Sequence, residues 1–251
     1  MKLGIKLWSR DHEQYLEAIE LIGTGDADYL ELTYLSGQGS HLDVLKKKKV
    51  PVIIHAPSSA QGFCLSDANF DRNRLMMKEV IKAADYLKAD KIIIHPDAGQ
   101  VRNFIKFLKE QNDDRIFIEN MPKKGINSES MIGYSPVEIK EFLSIGSFGF
   151  CLDFPHAIKA AVSQGIDYKE YLKELIAINP GMFHVSDGTL SSEIDEHLNI
   201  GEGEFDFSFI KDLIAKNESL AGKSKEVTFE VPKINSLKNA IVNIKKFKAI
   251  K

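Results

Sequence analysis

An α/β fold, closed as a single (β/α)8 TIM barrel, is predicted from three observations. Strand-like and helix-like patterns alternate from one end of the chain to the other. Eight such units fit into 251 residues, the size of that barrel. Six short apolar strands in succession end in His, Asp or Glu. Strand–helix repeats imply parallel strands joined by right-handed crossovers. A doubly wound sheet is the alternative, but it spreads its strand ends along a crevice. A closed barrel gathers them at one mouth.

The elements follow in order. Met1–Trp8 is too short and too charged for a secretory apolar segment and reads as the first strand, over 2–7. Further strands are predicted near 28–33, 50–55, 91–95, 115–119, 148–153, 181–186 and 226–231. Helical spacing is clearest over 69–88, where Met76, Val80, Ala84 and Leu87 recur. The last helix, 235–248, places Leu237, Ile241, Ile244 and Phe247 on one face. With no Pro/Gly/Ser linker, low-complexity tract or composition break, residues 1–251 are expected to form one domain.

Bulk properties bound the function classes. The chain is 43% hydrophobic and 27% charged, as for a globular protein with a sizeable core. Its net charge of -3 gives no global basic signature for nucleic acid, although a local basic groove is compatible with it. Cys64 and Cys151 fit no zinc or disulfide spacing, and Cys151 reads as a core filler. Few cysteines and no visible leader predict a cytoplasmic protein. No apolar run approaches membrane-spanning length, so no membrane association is expected, and no protein partner is evident.

The strand ends carry the chemistry. They are His55, His95, Glu119, Asp153, His184 and Glu230. An ionisable strand end is costly to bury unless it is paired or bound to metal, and six at one barrel end point to a shared site. His156 follows Asp153 one step past the strand end. Asp195 and His197 are an i,i+2 pair whose side chains share a side of an extended loop. Imidazole with carboxylate suits zinc, iron or manganese rather than calcium. Nine candidate ligands exceed the four to six positions of one ion. Four carboxylates supply a charge of -4, so one divalent ion leaves the cluster negative and three make it positive, attracting phosphate. Two or more metals would clamp a phosphodiester and stabilise its leaving oxygen.

With these residues in place, the chain resembles endonuclease IV, the AP endonuclease family 2, within the xylose-isomerase-like barrel superfamily. The matching segments include His55-Ala56-Pro57, Ile94-His95-Pro96, Glu119-Asn120, Asp153-Phe154-Pro155-His156, His184-Val185-Ser186-Asp187, Asp195-Glu196-His197 with Gly201-Glu202-Gly203, and Phe229-Glu230. They span about 50–231 in the family's order. The resemblance implies three Zn2+ ions. One would take His55, His95 and Glu119. The second would share Glu119 and take Asp153, His184 and Glu230. The third would take His156, Asp195 and His197. It implies hydrolysis of a phosphoester, in the family DNA at abasic sites during repair, with Glu119 and Glu230 the candidate catalytic residues.

The departures fall on the DNA side. Ser58 and Ser59 stand where the family inserts a bulky Tyr-Leu pair into DNA. Glu196 replaces a basic residue and would repel a phosphate backbone, Thr189 falls where a Lys is common, and the loop after His95 is short. A smaller or differently shaped phosphoester is thereby left open, as is a grip on nucleic acid through the loop at 36–40. Lys123, Lys124 and Ser58 are the candidate substrate-binding residues, an exposed turn ending at Gly125 being the alternative for the lysines. The rival enzyme is a sugar isomerase or epimerase with one Mn2+ or Mg2+ on Glu119, Asp153, His184 and Glu230. A barrel that binds without catalysis is the third reading. Lys46–Lys49 reads as a solvated helix end, His12 and His41 as surface residues, and Asp187 as either an orienting residue for the site or a loop hydrogen bonder.

Overall fold

The computed structural model describes residues 1–222, 224–233 and 236–250, apart from the side chains of Ser40 and Ala221. Eight parallel strands close in sequence order: β1 (Lys2–Trp8), β2 (Tyr29–Thr33), β3 (Val52–His55), β4 (Ile92–Ile94), β5 (Ile116–Glu119), β6 (Gly149–Asp153), β7 (Met182–Val185) and β8 (Glu226–Phe229). β8 pairs back onto β1, with Ile5 opposite Phe229. The helices are α1 (Tyr15–Gly23), α2 (Asp43–Lys47), α3 (Phe70–Leu87), α4 (Val101–Leu108), α5 (Pro136–Leu143), α6 (Phe154–Gln164), α7 (Tyr168–Ile176), α8 (Phe207–Ala221) and α9 (Lys238–Ala249).

Side chains on a strand alternate between faces, so each strand contributes to two cores. The outward residues Ile5, Leu30, Ile54, Ile92, Ile118, Leu152, Phe183 and Val227 pack with helix residues such as Phe104, Phe142, Ile158 and Ile244. The inward residues Tyr29, Ile53, Ile93, Cys151 and Met182, with Phe117 against them, fill the barrel. Gly4 belongs to this inner layer because a Cβ there would strike the Tyr29 ring. Two residues further along each strand path, on the same inward side, come Lys6, Glu31, His55, His95, Glu119, Asp153 and His184. The two-residue period therefore converts one apolar layer into a layer of ionisable groups directly above it.

Several boundaries differ from expectation. His95 and Glu230 stand one residue beyond β4 and β8, and His184 sits inside β7. On α3 it is Met77 that is buried, while Met76 is half-buried, because the inward stripe also takes Asn73, Val80, Ala83, Ala84 and Leu87. The last helix begins at Lys238, and the expected start at Asn235 lies outside the described residues. Lys46–Lys49 are exposed around the end of α2.

Candidate metal centre

All nine candidate ligands meet at the C-terminal mouth of the barrel, centred on Glu119. Its Oε2 lies 3.2 Å from His55 Nε2, 3.0 Å from His95 Nε2 and 3.3 Å from His184 Nδ1, and its Oε1 lies 3.3 Å from His156 Nδ1. Glu230 Oε1 is 2.8 Å from His184 Nδ1, and its Oε2 is 3.3 Å from His197 Nε2. Asp195 Oδ2 joins His197 Nδ1 at 3.1 Å and His156 Nε2 at 3.6 Å. Local sequence sets part of this geometry. Asp153 caps α6 by accepting the His156 N–H at 2.6 Å, and Pro155 in the first turn fixes the helix start. Asp153-Phe154-Pro155-His156 thus folds so that cap and histidine face one space.

The hydrogen bonds orient the rings. His55 Nδ1 donates to Ala56 O at 2.6 Å, and His156 Nδ1 donates to Asn120 O at 2.9 Å. His184 Nε2 donates to Glu31 Oε2 at 2.9 Å. In each ring one nitrogen is tied to an oxygen and the other faces the cluster, the arrangement that fixes a metal-binding histidine's tautomer. Buried atoms without a hydrogen bond include both ring nitrogens of His95, Nδ1 of His184, Oδ2 of Asp153 and both carboxylate oxygens of Asp195. Several are close in distance but not aligned for proton sharing. Nitrogen and oxygen lone pairs converging in this way fit a cation between them. Glu119, Asp153, His184 and Glu230 each offer an atom within 4.8 Å of the others, and so do His55, His95 and Glu119. His156 and His197 are joined through Asp195 instead.

Two participants were not singled out in the sequence. Lys6 and Glu31 are register partners on β1 and β2. Lys6 Nζ lies 3.0 Å from Glu31 Oε1 and also pairs with Glu230. Glu31 further accepts the Thr228 hydroxyl at 2.6 Å, and is itself close enough to His55, His184 and Glu230 to share a cation with them. The sequence signal was ambiguous, since each alternates with apolar neighbours as a residue on a solvated strand face also would.

Charge governs the protonation of the group. Burial, reinforced by Glu119, Asp195 and Glu230, pushes the Asp153 carboxyl up to about 7 despite His156 beside it. Burial alone would lower the His156 imidazole, but Asp153, Glu119 and Asp195 raise it to about 10. Protons thus serve as counter-ions when no other cation is bound. Ligation must displace them, so divalent-ion affinity is expected to rise with pH from about 7 towards about 10. Calorimetry in buffers of different ionisation enthalpy should show protons released on binding.

The loop between β7 and α8, which carries Asp195 and His197, is anchored twice. Asp187 accepts N–H groups from Gly188, Gly201, Gly203 and Phe205 at 2.8–3.2 Å. It therefore acts as a loop hydrogen bonder. A Cβ on Gly203 would collide with Asp187 and the Gly188 backbone, which accounts for the glycine there. The second anchor is Lys159 of α6, fully buried, donating to Thr189 O at 2.6 Å, Ser192 O at 3.0 Å and Glu196 Oε2 at 2.6 Å. Glu196 is thus turned onto Lys159, which corrects the expectation that it stands free to repel phosphate. Asp187→Ala would leave the N–H groups of the buried Gly188 and Phe205 without this acceptor and is expected to lower stability by about 2–3 kcal/mol in urea unfolding.

Above the cluster is a cavity of about 460 Å³, whose lining includes Lys6, Trp8, Ser58, Gln61, His95, Glu119, His197, Glu230 and Lys233. Ser58 sits at its edge, donating its hydroxyl to Gln61 Oε1 at 2.7 Å. Lys123 and Lys124 stand outside that lining, and Lys124 pairs with Glu193 across the loops. His12 and His41 are mutual partners, stacked with centroids 3.9 Å apart. Among the described residues no helix is long and apolar enough to cross a membrane.

Comparison with known proteins identifies the fold family. The model of the xylose isomerase-like TIM barrel family matches residues 16–222. A curated relative from Halothermothrix orenii, named "Probable endonuclease 4", is 24% identical over 219 residues, covering 77% of this chain and 76% of its own. Among solved structures, a D-tagatose 3-epimerase-like protein superposes with a TM-score of 0.73 at 20% identity, covering 99% of this chain and 96% of that one. Endonuclease IV from Thermus thermophilus superposes with a TM-score of 0.72 at 16% identity, covering 99% and 98%. At such identities the two structures show the fold alone.

Proposed function

The chain belongs to the xylose isomerase-like TIM barrel family, and within it we propose a metal-dependent phosphoester hydrolase of endonuclease IV type. The observation that carries the reading is the extent of the cluster. His55, His95, His156, Asp195 and His197 join the inner Glu119, Asp153, His184 and Glu230 through Glu119 and Glu230. A single-metal site leaves those five without a task.

The residues that would hold ions, Zn2+ first among them, fall into three groups. His55, His95 and Glu119 form one, and Glu119, Asp153, His184 and Glu230 another. His156, Asp195 and His197 form the third. Bound ions there would supply Lewis acidity, an activated water and charge for the leaving oxygen. The chain supplies orientation. Ala56 O, Asn120 O and Glu31 fix the rings of His55, His156 and His184. Asn120 also donates to Asp153 O at 2.9 Å and accepts the Asp153 N–H at 2.8 Å, holding β5 and β6 at a set distance. Lys6 keeps a fixed positive charge against Glu230 at the cavity floor.

A second reading is favoured by a separate observation: the inner four residues make a complete site by themselves. It is a sugar isomerase or epimerase with one Mn2+ or Mg2+, in which Glu119 and Glu230 would move a proton. His197→Ala separates the two. On the hydrolase reading it should cut phosphoester cleavage by about a hundredfold or more while leaving the inner site loaded. On the isomerase reading aldose–ketose exchange should persist. Elemental analysis of protein purified without chelator gives the direct test. About three metal equivalents per chain, with cleavage of abasic DNA or a smaller phosphoester, support the hydrolase. One exchangeable equivalent with no further uptake would sink it.

A further inference from the structure

Val231, Pro232 and Lys233 follow Glu230 and form one wall of the mouth cavity, with Trp8 and Lys6 of β1 beside them. Lys233 is unlike a surface lysine. Its side chain is only 24% exposed, and its buried ammonium nitrogen makes no hydrogen bond among the described residues. Asp11 Oδ2 lies 3.8 Å away, an ion-pair distance without a hydrogen bond. The neighbouring cations are otherwise engaged: Lys6 pairs with Glu31 and Glu230, and the Arg10 guanidinium lies 4.8 Å over the Trp8 ring. Burial lowers the Lys233 amine to about 8, Asp11 opposing this and Lys6 adding to it. The nitrogen itself has almost no accessible surface, so it is the rest of the side chain that lines the cavity. An ammonium buried without a hydrogen-bond acceptor is costly, and a turn of the flexible stem would bring it to an acceptor held in the cavity.

We propose that Lys233 anchors an anion subsite on the β8–β1 side of the mouth, which takes the phosphate of a small-molecule substrate whose reacting end lies at the acid–histidine cluster. The cavity of about 460 Å³ suits a molecule of sugar-phosphate or mononucleotide size. The absence of a bulky wedge at Ser58 and Ser59 agrees with a substrate that enters end-on rather than as a duplex. The proposal rests on the hydrolase reading only in calling the reacting end a phosphoester; the subsite stands on Lys233, Trp8 and the cavity.

Trp8 is the chain's single tryptophan and lines this cavity, so it reports on the subsite without a label. The protein, purified without chelator, is titrated with inorganic phosphate while Trp8 emission is followed. Lys233→Gln and Lys233→Arg are titrated in parallel, with thermal melts confirming that each is folded. The expected result is a saturable change in the parent, weakened about tenfold or more in Lys233→Gln and largely kept in Lys233→Arg. An equal response in Lys233→Gln would mean that phosphate is held elsewhere and would overturn the subsite, as would no saturable response in the parent. Acetate binding as well as phosphate would overturn the phosphate assignment. Metal content measured on the same samples keeps the two proposals apart. A Lys233-dependent response with one metal equivalent retains the subsite and removes the hydrolase. Three equivalents with no Lys233 dependence do the reverse.

Discussion

Glu119→Gln is expected to lower the proposed phosphoester turnover at least about a thousandfold, since on that reading metal-borne charge stabilisation contributes several kcal/mol. The substitution keeps the shape of the side chain and removes its charge. Glu119 is nearly fully buried, and His55, His95, His156 and His184 all approach it. It belongs to the group with His55 and His95 and to the group with Asp153, His184 and Glu230, so losing its carboxylate weakens two positions together. Metal content per chain should fall with activity, while far-UV circular dichroism stays that of the parent because the strands do not depend on this charge. Parent-like metal content and turnover would remove Glu119 from the centre of the mechanism.

The second large effect is on stability. Lys159→Met should destabilise the protein by about 2–4 kcal/mol, from losing the hydrogen bonds of a buried ammonium whose one charged partner, Glu196, is only partly buried. The Lys159 side chain is fully buried, and its three acceptors all belong to the β7–α8 loop. Methionine keeps much of the stem's packing but leaves two carbonyls without this donor and Glu196 with only the Thr189 N–H and hydroxyl. For a chain of this length the melting temperature should drop by roughly 10 °C. Adding Glu196→Gln should recover part of that loss by removing the stranded charge. A drop of only a degree or two would show that solvent replaces the lysine without penalty.

The barrel was legible in the sequence because its strands are buried on both faces and read as short apolar runs, such as Ile92–Ile94 and Ile116–Ile118. Polar residues interrupting that pattern marked the mouth, which is why His55, Glu119 and Asp153 could be named without coordinates. Lys6 and Glu31 escaped for the same reason. Each alternates with apolar neighbours, and that pattern also describes a strand with one solvated face. Only closure of the barrel turns both inward. Glu196 was misjudged because its partner, Lys159, is 37 residues away and looks like an ordinary helix lysine until α6 is docked. Lys233 gave no signal, since burial of its amine depends on how the segment after β8 lies across β1.

The polar seam of Lys6, Glu31, His184, Thr228 and Glu230 has a consequence for biosynthesis. Lys6 and Glu31 are made before their partners His184, Thr228 and Glu230, which lie 153 to 224 residues further along. Until β7 and β8 arrive, the first two strands carry an ion pair whose remaining partners do not yet exist. A nascent chain that has made only those strands has little reason to bury this layer. The seam is therefore expected to delay commitment at the first two strands until β7 and β8 are made, so that the site and the closed barrel form together.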